Sequence, residues 1–275
     1  MSECTHDCSS CGESCGERTD PMDLHAPCNE LSSVGKVIAV VSGKGGVGKS
    51  TVTGLLASAV ARTGASVGIM DSDITGPSMP KAFGVSERLS TDGQAMIPSV
   101  TPEGIKMVST NLILERDDLP VVWRGPILSN VVRQFFGETN WGSLDYLFVD
   151  MPPGTADVTL TAFQALPIDG VVVVTSPQEL VEMIVDKAVN MAREMNVPII
   201  GIVENMAAYT CPDCGKTQYL FGKPKGAELA KKRGIPSYAM LPIDPRVAER
   251  EDAGRIYDAN EDEALAPVLD FIMER

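Results

Sequence analysis

The chain lacks the features that would direct it to a membrane or to nucleic acid. No apolar run approaches the roughly 20 residues that a membrane-spanning helix needs. Only 23 lysines and arginines stand against 37 aspartates and glutamates, and the formal net charge is −14. Because a phosphate backbone or an anionic lipid surface is bound by a basic face, we expect neither nucleic acid nor a membrane as a partner.

Histidine is scarce, and cysteine is unevenly placed. Both histidines, His6 and His25, and five of the seven cysteines lie within the first 28 residues. These first residues are polar and therefore do not resemble a secretory signal, so we expect a cytoplasmic protein whose thiols stay reduced. Metal or cluster binding is then a stronger interpretation of the cysteines than disulfide bonding.

The composition divides the chain into two parts. Residues 1–33 have almost no large apolar side chains, which predicts a flexible, Cys-rich metal- or cluster-binding tail. In residues 34–275, apolar runs alternate with helical patterns, which predicts one α/β domain with a mainly parallel sheet and helices on both faces. The predicted strands are Lys36–Ser42, Ser66–Met70, Ile105–Ser109, Tyr146–Asp150, Gly170–Thr175, Pro198–Val203 and Ser237–Leu241. The predicted helices are Lys49–Arg62, Ile127–Phe136, Thr159–Ala165, Leu180–Met195, Lys225–Arg233 and Leu265–Met273.

A glycine-rich turn carries the strongest functional signal. Residues 43–50 read GKGGVGKS, which fits the phosphate-binding pattern G-x4-G-K-[ST] and adds a second lysine, Lys44. A strand pattern precedes this turn and a helix pattern follows it, as the motif requires. Lys49 would neutralise the β- and γ-phosphates, and Ser50 would offer its hydroxyl to Mg²⁺. The predicted ATP-binding residues of this segment are Gly43, Lys44, Gly45, Gly46, Val47, Gly48, Lys49, Ser50 and Thr51.

Three aspartates follow predicted strands. Asp150 closes one apolar strand, and Asp71 and Asp73 follow another. Because open parallel sheets bind ligands at the carboxyl ends of their strands, we expect these carboxylates beside the phosphates. Asp150 is expected to hold Mg²⁺ with help from Asp71, and Asp73 is expected to orient the attacking water. The alternatives are a solvated strand end for Asp150 and a turn or helix cap for the other two.

Several motifs together resemble a known class of proteins. The sequence KGGVGKS at residues 44–50 resembles the deviant Walker A motif of the MinD, ParA and nitrogenase iron protein class. Within that class, DSD with GPS, WRGP, DMPPGT and CPDC resemble the Mrp group, the scaffold and carrier ATPases of iron–sulfur cluster assembly. These motifs begin at Asp71, Trp123, Asp150 and Cys211.

The resemblance covers about residues 34–275 and implies both an activity and an assembly. It implies an ATPase that binds a [4Fe–4S] cluster and transfers it to apo iron–sulfur proteins. Lys44, Lys49 and Asp73 would be its catalytic residues, with Lys44 reaching the nucleotide of a partner subunit so that ATP closes a homodimer. Asn205 would read the adenine base beside residues 241–244, and a plain loop asparagine is the alternative.

The CPDC motif offers two thiolates, from Cys211 and Cys214, in a tight turn. Two thiolates do not complete a four-ligand site, whereas two copies of the turn in a symmetric dimer would. The resemblance implies a [4Fe–4S] cluster that bridges the dimer in this way. Zinc bound by the same thiolates and a redox-active dithiol are the alternatives.

The tail has enough cysteines for a site of its own, and a second iron–sulfur cluster is expected there. Its candidate ligands are Cys8, Cys11, Cys15 and Cys28. Their spacing departs from the C-x13-C-x2-C-x5-C pattern of the eukaryotic cytosolic relatives, and Cys4 is a further candidate. Zinc, with His6 or His25 as a ligand, and unliganded thiols are the alternatives.

Two other functions in the same class are less consistent with the sequence. A positioning ATPase like MinD or ParA, with a structural zinc site, would need a basic C-terminal helix or a basic DNA surface, and the last predicted helix has little positive charge. An electron-donating reductase like nitrogenase iron protein would use single, separated cysteines rather than a CxxC turn.

Overall fold

Eight of the described strands form one sheet, and helices pack against it. The computed structural model describes residues 25–73, 76, 78–113, 125–154, 157–178 and 181–274. The strands are β1 (Ser33–Ser42), β2 (Val67–Asp71), β3 (Ser90–Thr91), β4 (Met96–Ile97), β5 (Ser99–Val100), β6 (Lys106–Ser109), β7 (Ser143–Asp150), β8 (Gly170–Thr175), β9 (Ile199–Glu204), β10 (Tyr209–Thr210), β11 (Thr217–Gln218) and β12 (Ser237–Met240). The helices are α1 (Lys49–Arg62), α2 (Met79–Ala82), α3 (Gly125–Gly137), α4 (Asp157–Ala165), α5 (Val181–Glu194), α6 (Gly226–Arg233), α7 (Pro245–Asp252) and α8 (Asp262–Glu274).

The sheet is parallel except at one edge. Its strand order is β12-β9-β8-β1-β7-β2-β6-β5, and only the β5–β6 pair in this sheet is antiparallel. Two short antiparallel pairs, β3–β4 and β10–β11, lie outside it. The predicted α/β class with a mainly parallel sheet is therefore confirmed.

The core lies on both faces of the sheet, as the continuous apolar strands predict. Along β1, Val37, Ala39 and Val41 pack into one buried cluster. The residues between them, Ile38 and Val40, pack into a second cluster on the opposite face. Since neighbouring side chains of a strand point to opposite faces, the part of a strand that is covered on both sides is apolar at successive positions.

The register brings the predicted carboxylates to one edge of the sheet. β1 lies between β7 and β8, and Val40 is paired with Asp150 at the carboxyl end of β7. Asp71, the last residue of β2, is paired with the same Asp150. The chain after β1 therefore emerges beside two buried carboxylates. Among the described residues, no helix is both long and apolar enough to span a membrane.

Candidate functional site

The turn between β1 and α1 opens the amino end of a long helix toward solvent. Gly46 and Gly48 have φ angles of 78° and 80°, and Gly48 is the N-cap of α1. These left-handed conformations are accessible to glycine at little cost and point successive backbone N–H groups to one side. No acidic residue lies in the first turn of α1, so the helix dipole is available to an anion.

Lys49 and Ser50 meet Asp150 directly below this turn. The Lys49 side chain is 6% exposed, and its Nζ lies 2.7 Å from Oδ1 of the fully buried Asp150. The Ser50 hydroxyl donates to Oδ2 of Asp150 at 2.6 Å, and the Thr53 hydroxyl donates to Oδ1 at 2.8 Å. Three donors thus surround one carboxylate, which balances the cost of burying it.

The other two aspartates lie beside this cluster. Asp71 is fully buried and accepts hydrogen bonds from the Ser109 hydroxyl and the Met79 N–H. Burial, and secondly the negative charge of Asp150, raise the pKa of Asp71 to about 7. Oδ2 of Asp73 lies 3.9 Å from Nζ of Lys49, with the Asp73 side chain 14% exposed. All three predicted carboxylates are therefore gathered around the lysine of the phosphate turn.

Asn205 joins the end of β9 to the phosphate turn. Its Nδ2 donates to the Val47 carbonyl at 3.0 Å, and its Oδ1 accepts from the Met206 N–H at 2.9 Å. A Cβ added at Gly48 would lie 2.2 Å from this Nδ2. The turn and the amide are therefore fitted closely together, and Asn205 also lines the neighbouring cavity.

Two adjoining cavities extend from the turn. The first contains the phosphate turn together with Asp73 and Ser78. The second is mostly apolar and includes Leu55, Asn205 and the predicted base segment 241–244. Thr51 and Glu251 line both cavities. A molecule with a phosphate chain at one end and an apolar ring at the other fits this arrangement.

Glu251 is a site residue that carries no sequence motif. It lies in α7 and accepts a hydrogen bond from the Thr51 hydroxyl at 2.8 Å. Burial raises its pKa above the ordinary value. Glu251 stands in the polar sequence PRVAERED, where nothing distinguishes it from its neighbours. Only the folded chain brings it to Thr51.

Lys44 points away from the carboxylate cluster. Its Nζ donates to Oε1 of Gln178 at 2.6 Å, in an exposed position on the surface. Gly154, from the segment after β7, donates its N–H to the Ser42 carbonyl at 2.8 Å. Lys44 is thus at the rim of the site, where a second molecule has access to it.

The two cysteines of the CPDC motif form the tip of a small hairpin. The strands β10 and β11 pair antiparallel, and the Cys211 N–H donates to the Lys216 carbonyl. Backbone N–H groups of Cys214 and Asp213, and then the Cys214 thiol, lower the pKa of the Cys211 thiol. A lowered pKa favours the thiolate, which is the form that binds metals. Within the described ranges, no third His, Cys, Asp or Glu joins this pair to form a group of three.

The described part of the predicted tail lies against the body. Ala26 is buried and its N–H donates to the Ala165 carbonyl at 2.7 Å. Cys28 is partly buried against the core, and this burial raises the pKa of its thiol. Cys28 precedes the amino end of β1, whereas the phosphate turn follows its carboxyl end. The other predicted tail ligands, Cys8, Cys11 and Cys15, lie outside the described residues. The same holds for Trp123, Arg124 and Thr155 of the family motifs.

Comparison with known proteins gives a consistent family. The model of the NUBPL iron-transfer P-loop NTPases, within the ParA group, matches residues 33–275. An iron–sulfur cluster carrier protein of Clostridium perfringens is 46% identical over 250 residues, which cover 88% of this chain and 87% of that protein. A carrier protein of Methanocaldococcus jannaschii is 40% identical over 285 residues, with 100% and 98% covered.

Solved structures agree with these sequence matches. A nucleotide-binding protein of Archaeoglobus fulgidus, solved with ADP, is 42% identical with a TM-score of 0.76, and the match covers 83% of this chain and 90% of that one. The cell division ATPase MinD of Pyrococcus furiosus has a TM-score of 0.62 at 19% identity, with 87% and 99% covered, which shows a shared fold alone.

Proposed function

Because the chain belongs to the NUBPL family of iron-transfer P-loop NTPases, we propose that it is an ATPase that carries an iron–sulfur cluster and delivers it to apoproteins. One observation supports this proposal most directly. Asn205, which holds the phosphate turn, and Cys211, at the tip of the thiol hairpin, are separated by only five residues. The segment between them is hydrogen-bonded to the residues that follow β12. The Ala207 N–H donates to the Leu241 carbonyl, and the Ile243 N–H donates to the Ala208 carbonyl. A movement of the phosphate turn would therefore be transmitted to the thiols through a short segment that is hydrogen-bonded to the body.

ATP is the substrate that matches the two cavities. The N–H groups of the turn bind the phosphates. Lys49 gives up its ion pair with Asp150 and binds the β- and γ-phosphates instead. The adenine ring occupies the apolar cavity beside Asn205 and residues 241–244. The ribose then passes between Thr51 and Glu251, where both cavities meet.

Mg²⁺ fits the oxygen donors below the turn. The Ser50 hydroxyl and the Asp150 carboxylate already lie 2.6 Å apart, and hydroxyl and carboxylate oxygens are the ligands that this ion prefers. Asp71 stands behind Asp150 as a supporting carboxylate. When bound, the ion supplies positive charge to the phosphates. Asp73, close to Lys49 and less buried than the other two carboxylates, orients the attacking water.

Lys44 links hydrolysis to assembly. Its ammonium group is at the surface, held by Gln178 and not by the carboxylate cluster. In a face-to-face homodimer, Lys44 leaves Gln178 and neutralises the γ-phosphate bound to the partner subunit. Closure of the dimer then depends on ATP and is lost after hydrolysis.

The cluster is held between two hairpins. Cys211 and Cys214 supply two thiolates from each subunit, which completes the four ligands of a [4Fe–4S] cluster. The cluster is cargo and passes to apo iron–sulfur proteins. A second cluster is bound by the tail, with Cys8, Cys11 and Cys15 as ligands and Cys28 or Cys4 as the fourth.

The metal content tests this proposal. The protein is purified without oxygen, and iron, acid-labile sulfide and zinc are quantified beside the visible spectrum. We expect a broad absorption near ~400 nm from thiolate-bound iron. Replacing both hairpin cysteines, Cys211→Ala with Cys214→Ala, should remove part of the iron and leave any tail cluster in place.

The matched control replaces tail cysteines, with Cys8→Ala and Cys11→Ala in one variant. This variant should keep the iron of the hairpin site. A colourless wild-type protein that holds zinc alone would overturn the carrier function.

A further inference from the structure

Three consecutive exposed apolar residues follow the thiol hairpin. All residues from 212 to 223 are exposed. Within this segment Tyr219, Leu220 and Phe221 are consecutive, with exposed fractions of 47%, 57% and 45%. The other large apolar side chains that are exposed in the described ranges are scattered singly along the chain: Leu31, Val100, Ile113, Met183, Met240 and Met273. Single exposed apolar residues are common, whereas a contiguous group marks an interaction site.

The backbone holds this group outward. The Gly222 N–H donates to the Tyr219 carbonyl at 3.3 Å, which closes a turn around Leu220 and Phe221. Gly222 has a φ of 104° and lies close to the Pro177 carbonyl, where an added Cβ would be 3.2 Å from the oxygen. The turn is therefore fixed to the body at its end, and its apolar side chains are presented to solvent.

Positive charge surrounds the apolar group. Residues 212–233 contain six lysines and arginines and two carboxylates, Asp213 and Glu228, in a chain whose formal charge is −14. Lys232 and Arg233 form ion pairs with α5. Lys216 and Lys223, which flank the apolar turn, are exposed and have no ion pair among the described residues. The surface thus combines apolar anchors with a basic rim.

We propose that Lys216, Tyr219, Leu220, Phe221 and Lys223 form a docking surface for an acidic face of the apoprotein that receives the cluster. This inference rests on the proposed carrier function. A recipient must approach the thiols of the hairpin, and the docking surface begins two residues after Cys214. Apolar anchors supply affinity, and the lysines select an acidic partner and speed its approach.

The charge distribution favours such a recipient over a second copy of this chain. A shared cluster needs only the tips of the two hairpins, at Cys211 and Cys214, to meet at the two-fold axis. If the docking surface itself also faced its own copy, Lys216 and Lys223 would meet the same lysines, and like charges in contact oppose association. An acidic partner meets no such repulsion.

Binding of an acidic acceptor tests the docking surface without any cluster. The probe is fluorescently labelled bacterial apo-ferredoxin, a small acidic acceptor of [4Fe–4S] clusters, and its anisotropy is measured with the cluster-free protein. We expect Lys216→Glu with Lys223→Glu to weaken binding about tenfold or more, and added salt to weaken wild-type binding. Leu220→Ser with Phe221→Ser should weaken binding by a similar factor.

A charge-matched control separates the surface from net charge. Lys187→Glu with Arg193→Glu changes the charge equally at exposed positions of α5, outside residues 212–233, and should alter affinity less than about twofold. Equal binding by wild type and both surface variants would overturn the proposal, as would equal weakening by the control. A fall in the dimer fraction of the surface variants, measured by mass photometry, would also overturn it and assign the surface to a second copy. Absence of iron from anaerobic wild-type protein would instead contradict the carrier function.

Discussion

At the scale of single residues, the site is organised by one buried carboxylate. Asp150 accepts from Ser50 and Thr53 and pairs with Lys49. In the proposed ATP complex Lys49 would pair with the phosphates and Ser50 with Mg²⁺. In the nucleotide-free protein Asp150 holds both side chains in place.

The two lysines of the phosphate turn should differ in their effects. Lys49→Ala removes the cation below the turn, so we expect ATP turnover to fall at least about a hundredfold. Lys44→Ala removes the ammonium group that is proposed to reach the nucleotide of the partner subunit. Turnover should therefore fall about tenfold or more, while ATP affinity changes less than about threefold. Steady-state kinetics with calorimetric titration of a slowly hydrolysed ATP analogue measures both quantities. Unchanged turnover in Lys44→Ala would show that this lysine acts on no nucleotide.

Asp71 should make the nucleotide-free protein less stable as pH rises. Its pKa is about 7 in the folded chain and near 3.8 when unfolded. Between these values the folded state keeps a proton that the unfolded state has released, so the stabilisation is present below about pH 4 and is lost by about pH 7. We expect Asp71→Asn to reduce this loss by on the order of 4 kcal/mol. Urea unfolding across this pH range, without Mg²⁺, measures it.

The control for this pH dependence is Asp145→Asn. The Ser66 hydroxyl and N–H lower the pKa of Asp145, and its carboxylate is exposed. This control should leave the decline between about pH 4 and pH 7 in place. An unchanged decline in Asp71→Asn would contradict the assignment.

Sequence patterns identify these residues only where a local motif exists. Lys49, Asp150 and Asp71 follow strands or belong to a glycine-rich turn, so their placement in one cluster can be expected. Glu251 cannot be recognised in this way. It meets Thr51 across about 200 positions of chain, and the contact exists only after α7 has packed beside α1.

At the scale of elements, the phosphate turn is shaped by its neighbour as well as by its own glycines. Gly46 and Gly48 have nearly the same φ, yet only Gly48 is crowded. The amide of Asn205 fills the space where a side chain would start. Substitution at Gly46 therefore tests backbone strain alone, whereas substitution at Gly48 tests strain together with the contact to Asn205.

Alanine at these two glycines should give different results. Gly46→Ala should cost about 1 kcal/mol of stability, because its added Cβ meets nothing within 4 Å and only the φ is unfavourable. Gly48→Ala should cost about 1 kcal/mol more and weaken ATP binding about tenfold or more, because its Cβ displaces Asn205. Urea unfolding and ATP titration measure these changes. Equal effects of the two substitutions would show that the Asn205 contact is unimportant.

The amino end of α6 depends on a buried carboxylate from β9. Glu204 is fully buried and accepts from the N–H groups of Lys225 and Gly226 and from the Tyr238 hydroxyl. Glu204→Ala leaves three donors without this acceptor, so we expect the free energy of unfolding to fall by about 3 kcal/mol. Tyr238→Phe removes one donor and should cost about 1 kcal/mol. A loss in Glu204→Ala no larger than in Tyr238→Phe would contradict this account of the helix start.

Periodicity predicts the elements that are buried. Continuous apolar runs mark the strands β1, β7, β8 and β9. Each of these four strands was predicted and is present, with small shifts of its ends. Helix α7 was not predicted, because none of its residues is buried and its sequence has no apolar period. Its start could be recognised from Asp244, whose side chain accepts the Arg246 N–H, followed by Pro245. The short strands β3 to β5 lie in a stretch whose pattern favours no single element, whereas β6 matches the predicted strand Ile105–Ser109.

At the scale of the whole molecule, the proposed nucleotide and cargo sites follow one edge of the sheet. The phosphate turn, Asn205 and the segment leading to the hairpin all follow carboxyl ends of strands. Cys28 precedes β1 and lines a cavity with Val34 and Val37 of that strand, whereas the phosphate turn follows the carboxyl end of β1. The hairpin therefore follows the same edge of the sheet as the phosphate turn, whereas Cys28, the predicted tail ligand that the structure describes, lies toward the opposite edge.

The mass of the intact, cluster-loaded assembly tests the central claim most directly. Native mass spectrometry of anaerobic protein with an ATP analogue, on a variant with Cys4, Cys8, Cys11 and Cys15 replaced by alanine, leaves only the hairpin and Cys28 as thiol sources. We predict a species of two chains and one [4Fe–4S] cluster, and its absence when Cys211 and Cys214 are also replaced. A cluster found on single chains, or dimers that keep it without the hairpin cysteines, would contradict a cargo shared between two subunits.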